Sequence, residues 1–145
     1  MKRLLYGILL ISLCVALPLS ADAQRRKPTS GQGGAQLTFL EGTSHDFGVV
    51  ERRGGDLIKV FRFVNDGQKP LVIKRVTKSC SCITAHFPRK PIKPGEVEEI
   101  RVKYEPHKAE AGTFHKVVQI YANTAQGEHL ITIQGNSVVK RRQKR

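Results

Sequence analysis

The sequence predicts an all-β fold, an immunoglobulin-like sandwich of two sheets with about seven to eight strands. Three observations carry that expectation. From Leu37 onward, apolar stretches of strand length recur. Gly, Pro, Asn and Asp separate them at the spacing of an all-β domain. No stretch sustains a helical period. A small closed barrel is the other architecture this pattern admits.

Leu37 to Leu40 opens the series and Phe47 to Val50 follows it. Leu57 to Val64 is apolar on both faces, because Ile58, Val60 and Val64 accompany Phe61 and Phe63. A run of that kind belongs inside a sheet. Asn65-Asp66-Gly67 ends it, since Asn and Asp bond back to their own backbone and Gly accepts positive φ. Leu71 to Thr77 and Ile83 to Phe87 flank the two downstream cysteines, and Lys93-Pro94-Gly95 turns the chain into Val97 to Tyr104. There Ile100, Val102 and Tyr104 alternate with Glu99, Arg101 and Lys103, one row facing inward and the other facing water. Phe114 to Ala122 and His129 to Gln134 close the series, joined through Asn123 to Gly127 as a hairpin. The expected core is Phe47, Phe61, Phe63, Val72, Ile100, Val102, Val118, Ile120 and Ile131. The antibody form is excluded, because it needs a buried Trp and two distant cysteines, and the chain has no Trp.

The chain has 145 residues, room for one domain, and its 39% apolar and 26% charged content is that of a globular protein. Lys2 and Arg3, the apolar run Leu4 to Leu17 and the triplet Ala21-Asp22-Ala23 follow the order of a secretory signal peptide cut after Ala23. The run is shorter than the roughly 20 residues that span a bilayer. The protein is therefore expected to be exported, periplasmic or secreted, with no transmembrane segment after cleavage. The net charge of +13 falls to +12 in the mature chain, where 23 basic side chains face 11 acidic ones. Residues 24–36 contain Arg25, Arg26 and Lys27 and then Pro-Thr-Ser-Gly-Gln-Gly-Gly-Ala-Gln, and read as a flexible linker. The domain is expected over residues 37–139, at a net +4, with a polybasic tail over residues 140–145.

His45-Asp46-Phe47-Gly48, Phe61-x-Phe63-x-Asn65-x-Gly67, Pro70-Leu71, Ser79-Cys80-Ser81-Cys82, Pro91-Ile92-Lys93-Pro94-Gly95 and Asn123 occur in an order that resembles the DUF1573 family over about residues 43 to 136. That family comprises exported single-domain proteins abundant in Bacteroidetes. The resemblance implies an immunoglobulin-like fold akin to PapD, major sperm protein and ASH/hydin domains, and no defined activity. The family usually shows Cys-Gly-Cys followed by Thr, where Ser81 and Ile83 stand here. Gly takes backbone angles that Ser resists.

Cys80 and Cys82 admit three readings. Residues two apart in extended chain point to one side, and an exported address permits a disulfide, structural or redox-active. With His86 they also form a set suited to copper or zinc, although the four-ligand pattern is incomplete. As free thiols they would be small buried hydrophobes.

No other constellation carries chemistry. His45 and Asp46 are adjacent and in a strand would face opposite ways. His107, His115 and His129 are scattered, and the sequence has no nucleophile elbow, zinc-protease motif or phosphate-binding glycine loop. The chain is expected not to be an enzyme and to need no cofactor. The first functional expectation is a binding or scaffolding module of the envelope, accepting a partner protein at an exposed sheet edge. A metal or redox role through the cysteines is the second. The third is electrostatic adhesion to an anionic envelope surface through Lys140, Arg141, Arg142, Lys144 and Arg145. Specific nucleic-acid binding is not expected, because no aromatic residues interleave with the tail.

Intact-mass measurement of protein recovered from an exporting cell is expected to give a chain that begins at Gln24. A mass that retains residues 1–23 would overturn the export assignment.

Overall fold

The computed structural model describes residues 33–139. The expected signal peptide, residues 24–32 of the expected linker and the basic tail Lys140 to Arg145 lie outside them. Eight strands follow in order: β1 (Leu37–Phe39), β2 (Ser44–Glu51), β3 (Leu57–Asn65), β4 (Ile73–Lys78), β5 (Ile83–His86), β6 (Val97–Tyr104), β7 (Gly112–Ala122) and β8 (Glu128–Val138). One 3-10 turn, Pro106–Lys108, interrupts them. Each strand falls on an expected apolar stretch. Those that run longer, β2, β7 and β8, extend into polar residues where backbone pairing and not side-chain burial sets the length.

The strands form two four-stranded sheets, ordered β1-β3-β6-β5 and β2-β8-β7-β4. β2 pairs with β8 in parallel, and the other pairings are antiparallel. Each sheet ends in two terminal strands, so the architecture is a sandwich and not a closed barrel. β3 lies between β1 and β6, as its two-sided apolar run requires.

Phe61, Phe63, Ile100, Val102 and Tyr104 from the first sheet meet Val118, Ile120, Ile131 and Ile133 from the second, each exposed by 1% or less. Complete burial of a side chain of this size stabilises the fold by about 1.5–3 kcal/mol. Two members of the expected core are corrected. Val72 is only half-buried, while Leu71 and Ile73 on either side are buried. Phe47 is partly buried at the rim, packed against the cluster.

Asn65 ends β3 with no exposed surface, and all four bonds its carboxamide can make are made. Oδ1 accepts the N–H groups of Gln36 (3.2 Å) and Gly67 (3.1 Å), and Nδ2 donates to the carbonyls of Lys69 (2.8 Å) and Ile92 (2.9 Å). Its backbone adds two more, donating to Glu96 O and accepting from Gly95 N. One side chain thereby ties together the segment before β1, the turn after β3 and the loop before β6. Asn123 does a related task at the end of β7, accepting from Val72 N (2.7 Å) and donating to Pro70 O (3.0 Å).

The ordered body reaches further back than the expected Leu37 boundary. Gly34 O accepts from Gln68 N and Lys69 N, Gln36 O accepts from Asp66 N, and Ala35 is buried in a parallel bridge with Thr124. Residues 34–36 are therefore docked and do not belong to a flexible linker. Composition missed this because their contribution is backbone hydrogen bonding. A Cβ on Gly67 would lie 2.3 Å from Gly34 O and 2.6 Å from Gln36 N, so this turn accepts only Gly.

Asn65→Ala strands several buried backbone groups at once and is expected to destabilise the domain by about 3 kcal/mol, read as the shift in urea midpoint. Gly67→Ala is expected to undock residues 34–36, seen as faster hydrogen exchange at Gln36 and Gln68. Unchanged exchange there would contradict the close approach described.

Candidate functional site

Sheet edges are where this fold leaves backbone groups available, and β1, β5, β2 and β4 are the four terminal strands. They lie in two pairs, each joined by a short crossover between the sheets: residues 40–43 link β1 to β2, and residues 79–82 link β4 to β5.

The β2 edge carries a bulge. Its register against β8 shifts between Asp46 and Val49, Gly48 sits at φ 66°, and Val49 is 73% exposed. Asp46 Oδ1 accepts Gly48 N (2.7 Å), and Gln134 Nε2 donates to Oδ2 (3.1 Å). The Gly48 N–H, and after it Gln134, hold this carboxyl below its ordinary pKa. The carboxylate thus stabilises the bulge at neutral pH.

The β4 edge is also bulged. Ile73 faces Ala122 and Arg75 faces Tyr121, which leaves Lys74 as the extra residue. Lys74 and Arg75 are both exposed, and the Arg75 guanidinium lies 4.4 Å from the Tyr121 ring centroid. The β5 edge is four residues long and runs into Phe87, over whose ring the Arg89 guanidinium sits at 4.1 Å. An open groove of about 700 Å³ follows β5, lined among others by Ile58, His86, Phe87, Arg89, Lys90, Glu98, Glu99 and Arg101.

Cys80 and Cys82 form a disulfide at the β4–β5 crossover, with Cα atoms 5.1 Å apart. Ser81 does not prevent the loop from closing. Cys82 is fully buried, and its N–H donates to Cys80 Sγ (3.0 Å). Glu105 N donates to Cys82 O and Ile83 N to Cys80 O, which pins the loop to its surroundings. The bridge thus joins the two ends of the β4–β5 crossover.

The expected ligand set Cys80, Cys82 and His86 is not assembled. Both sulfurs are bonded to each other, and His86 stands exposed at the far end of β5, opposite Arg101 and roughly 10 Å along the strand from Ile83. Among the described residues no group of three His, Cys, Asp or Glu side chains is placed to hold a metal.

The remaining histidines stand apart. His45 meets Phe47 edge-on at 4.6 Å, while Asp46 is engaged with Gly48 and Gln134. His107 Nδ1 lies 4.0 Å from Asp56, and His115 is exposed. His129 Nε2 is 2.9 Å from Thr124 Oγ1, and burial holds this imidazole below its usual pKa. The Tyr104 hydroxyl is buried with no hydrogen-bond partner, and desolvation raises its pKa. No two of these groups are placed as nucleophile and base.

The net +4 conceals a local separation of charge. Residues 67–95 contain Lys69, Lys74, Arg75, Lys78, Arg89, Lys90 and Lys93 and no Asp or Glu, and all seven cations are exposed. The ion pairs of the described residues, such as Lys59–Glu41, Arg101–Glu99, Lys103–Asp56 and Lys108–Glu105, use none of them. A charge count by segment would have found this stretch; the domain total did not.

The family described as "Protein of unknown function (DUF1573)" matches residues 38–137, and the chain belongs to it. A protein of unknown function from Porphyromonas gingivalis W83 is similar in structure, with a TM-score of 0.59 and 26% identity, over 75% of this chain and 49% of that one. This chain therefore spans about half the length of that relative. The ASH / PapD-like domain 7 of human CEP192 is similar at a TM-score of 0.61 and 9% identity, over 79% of this chain and 94% of that domain. The YadV chaperone matches at a TM-score of 0.50 and 13% identity, over 70% of this chain and 51% of that one. The latter two likenesses show the PapD-like, immunoglobulin-type fold. No curated protein matches the chain. Among the described residues no helix is long and apolar enough to cross a membrane.

Native protein is expected to show no titratable thiol until it is both unfolded and reduced. Cys82→Ser is expected to cost more stability than Cys80→Ser by about 1–3 kcal/mol, because both lose the bridge but only the first buries a hydroxyl. Equal losses in urea denaturation would contradict the burial of Cys82.

Proposed function

We propose that this DUF1573 member is a non-enzymatic binding module that works outside the cytoplasm and offers a sheet edge to a partner protein. One observation carries the reading. The two sheets end in four terminal strands at the surface, while Asp46 and Asn65 are engaged in holding a bulge and a turn. The exported address read from residues 1–23 accords with the disulfide, since such bridges persist in oxidising compartments. The PapD-like fold supports a role in protein interaction by analogy alone. A copper, zinc or redox role through Cys80 and Cys82 has no comparable support, given the buried bridge and the distant His86.

Edge recognition works through backbone hydrogen bonds for affinity and alternate side-chain pockets for specificity. A photo-crosslinking residue placed at Val49 on β2, Lys74 on β4 or Thr84 on β5 is expected to yield a protein adduct in intact cells from at least one edge. The same residue at Leu130, on the open face of β8, is expected to yield none. Absence of adducts at every edge, or equal labelling at Leu130, would remove the basis for this function.

A further inference from the structure

We propose that the β4 edge, with the cations around it, is the docking site for an acidic, extended segment of a partner protein. This rests on the edge-binding function above and specifies which edge and which chemistry. Lys74, Arg75 and Lys78 are the exposed residues of β4, and no carboxylate lies anywhere in residues 67–95. The cations span about 13 Å along the strand, the length of a short added strand. Lys78 Nζ donates to Ile83 O across the crossover, which holds one charge between the two edges, and Arg75 is stacked over Tyr121. Both are therefore positioned before a partner arrives, which lowers the ordering cost of binding. Beyond the crossover, the exposed Arg89 and Lys90 follow β5, and the adjoining groove that they line also carries Glu98 and Glu99.

The other edges fit this role less well. β1 is three residues long. β2 presents Asp46 and the Gly48 bulge at its centre, with a carboxylate where β4 has cations. Lysines on an edge normally block pairing with another copy, since two β4 strands would place like charges side by side. The same charges do not block a strand that carries carboxylates, so repulsion and attraction together select the partner. Strand addition, in contrast to general attraction for polyanions, requires the backbone N–H groups of the incoming chain.

The test is fluorescence anisotropy with a labelled decapeptide of alternating Glu and Val on the full mature protein. Binding is expected, weakening as salt rises. Lys74→Glu combined with Arg75→Glu is expected to weaken it at least tenfold, whereas the same change of charge at Arg53 and Arg62 leaves it within about twofold, with urea midpoints confirming that both variants fold. A peptide of the same sequence with alternate N-methyl groups is expected to lose binding, and heparin is expected not to substitute for the peptide. If heparin and the N-methylated peptide bind as well as the parent, the surface is a general polyanion site and strand addition is overturned. If binding survives reversal at β4 but is lost with Val49→Pro on β2, the β4 assignment fails and the edge-binding function stands. If neither this peptide nor a decapeptide of alternating Lys and Val binds, both fail.

Discussion

The carboxamide of Asn65 is the constraint on which this fold depends. A sandwich is held along its middle by apolar packing, but its ends consist of loops whose backbone groups need partners once they are covered. Asn65 supplies four such partners from one buried side chain, two as acceptor and two as donor. No other side chain of that length has both capacities, so Asp or Leu could fill the space without making the bonds. Gly67 belongs to the same arrangement, because only a missing Cβ lets residues 34–36 come close enough to use it.

What could be read from sequence divides along a physical line. The eight strands were legible because their inward rows alternate with polar rows or, in β3, because both faces are apolar. The face of β4 was misjudged at Val72. There the bulge at Lys74 breaks the period of two, and the Asn123 side chain replaces strand pairing before β4 begins. Residues 34–36 were misread because a Gly- and Gln-rich stretch carries no apolar signal, and its contacts are made by the main chain. The proximity of Cys80 and Cys82 was visible in their spacing. The burial of Cys82 was not, since it follows from tertiary contacts such as that of Glu105, whose N–H donates to the Cys82 carbonyl from the far end of β6. His86 was grouped with the cysteines by spacing alone, and the extended geometry of β5 separates them.

The edges show how an open sandwich stays separate from its own copies while remaining open to something else. β1 and β5 are short, and β2 and β4 are bulged. Each device is a recognised means of limiting indiscriminate pairing. They differ in sign: the centre of β2 is acidic and β4 is basic. The disulfide at residues 80–82 lies between β4 and β5, so these two edges are held at a fixed spacing from one sheet to the other.

The docking of Ala35 against Thr124 also decides where the chain enters the body. Thr124 lies in the hairpin that precedes β8, whereas Val139 follows the opposite end of that strand, eleven residues or about 35 Å away. Polypeptide therefore enters at one pole and leaves at the other. Tension applied through its two ends would run along β8 and load the β2–β8 and β7–β8 ladders in shear, with many hydrogen bonds sharing the force at once.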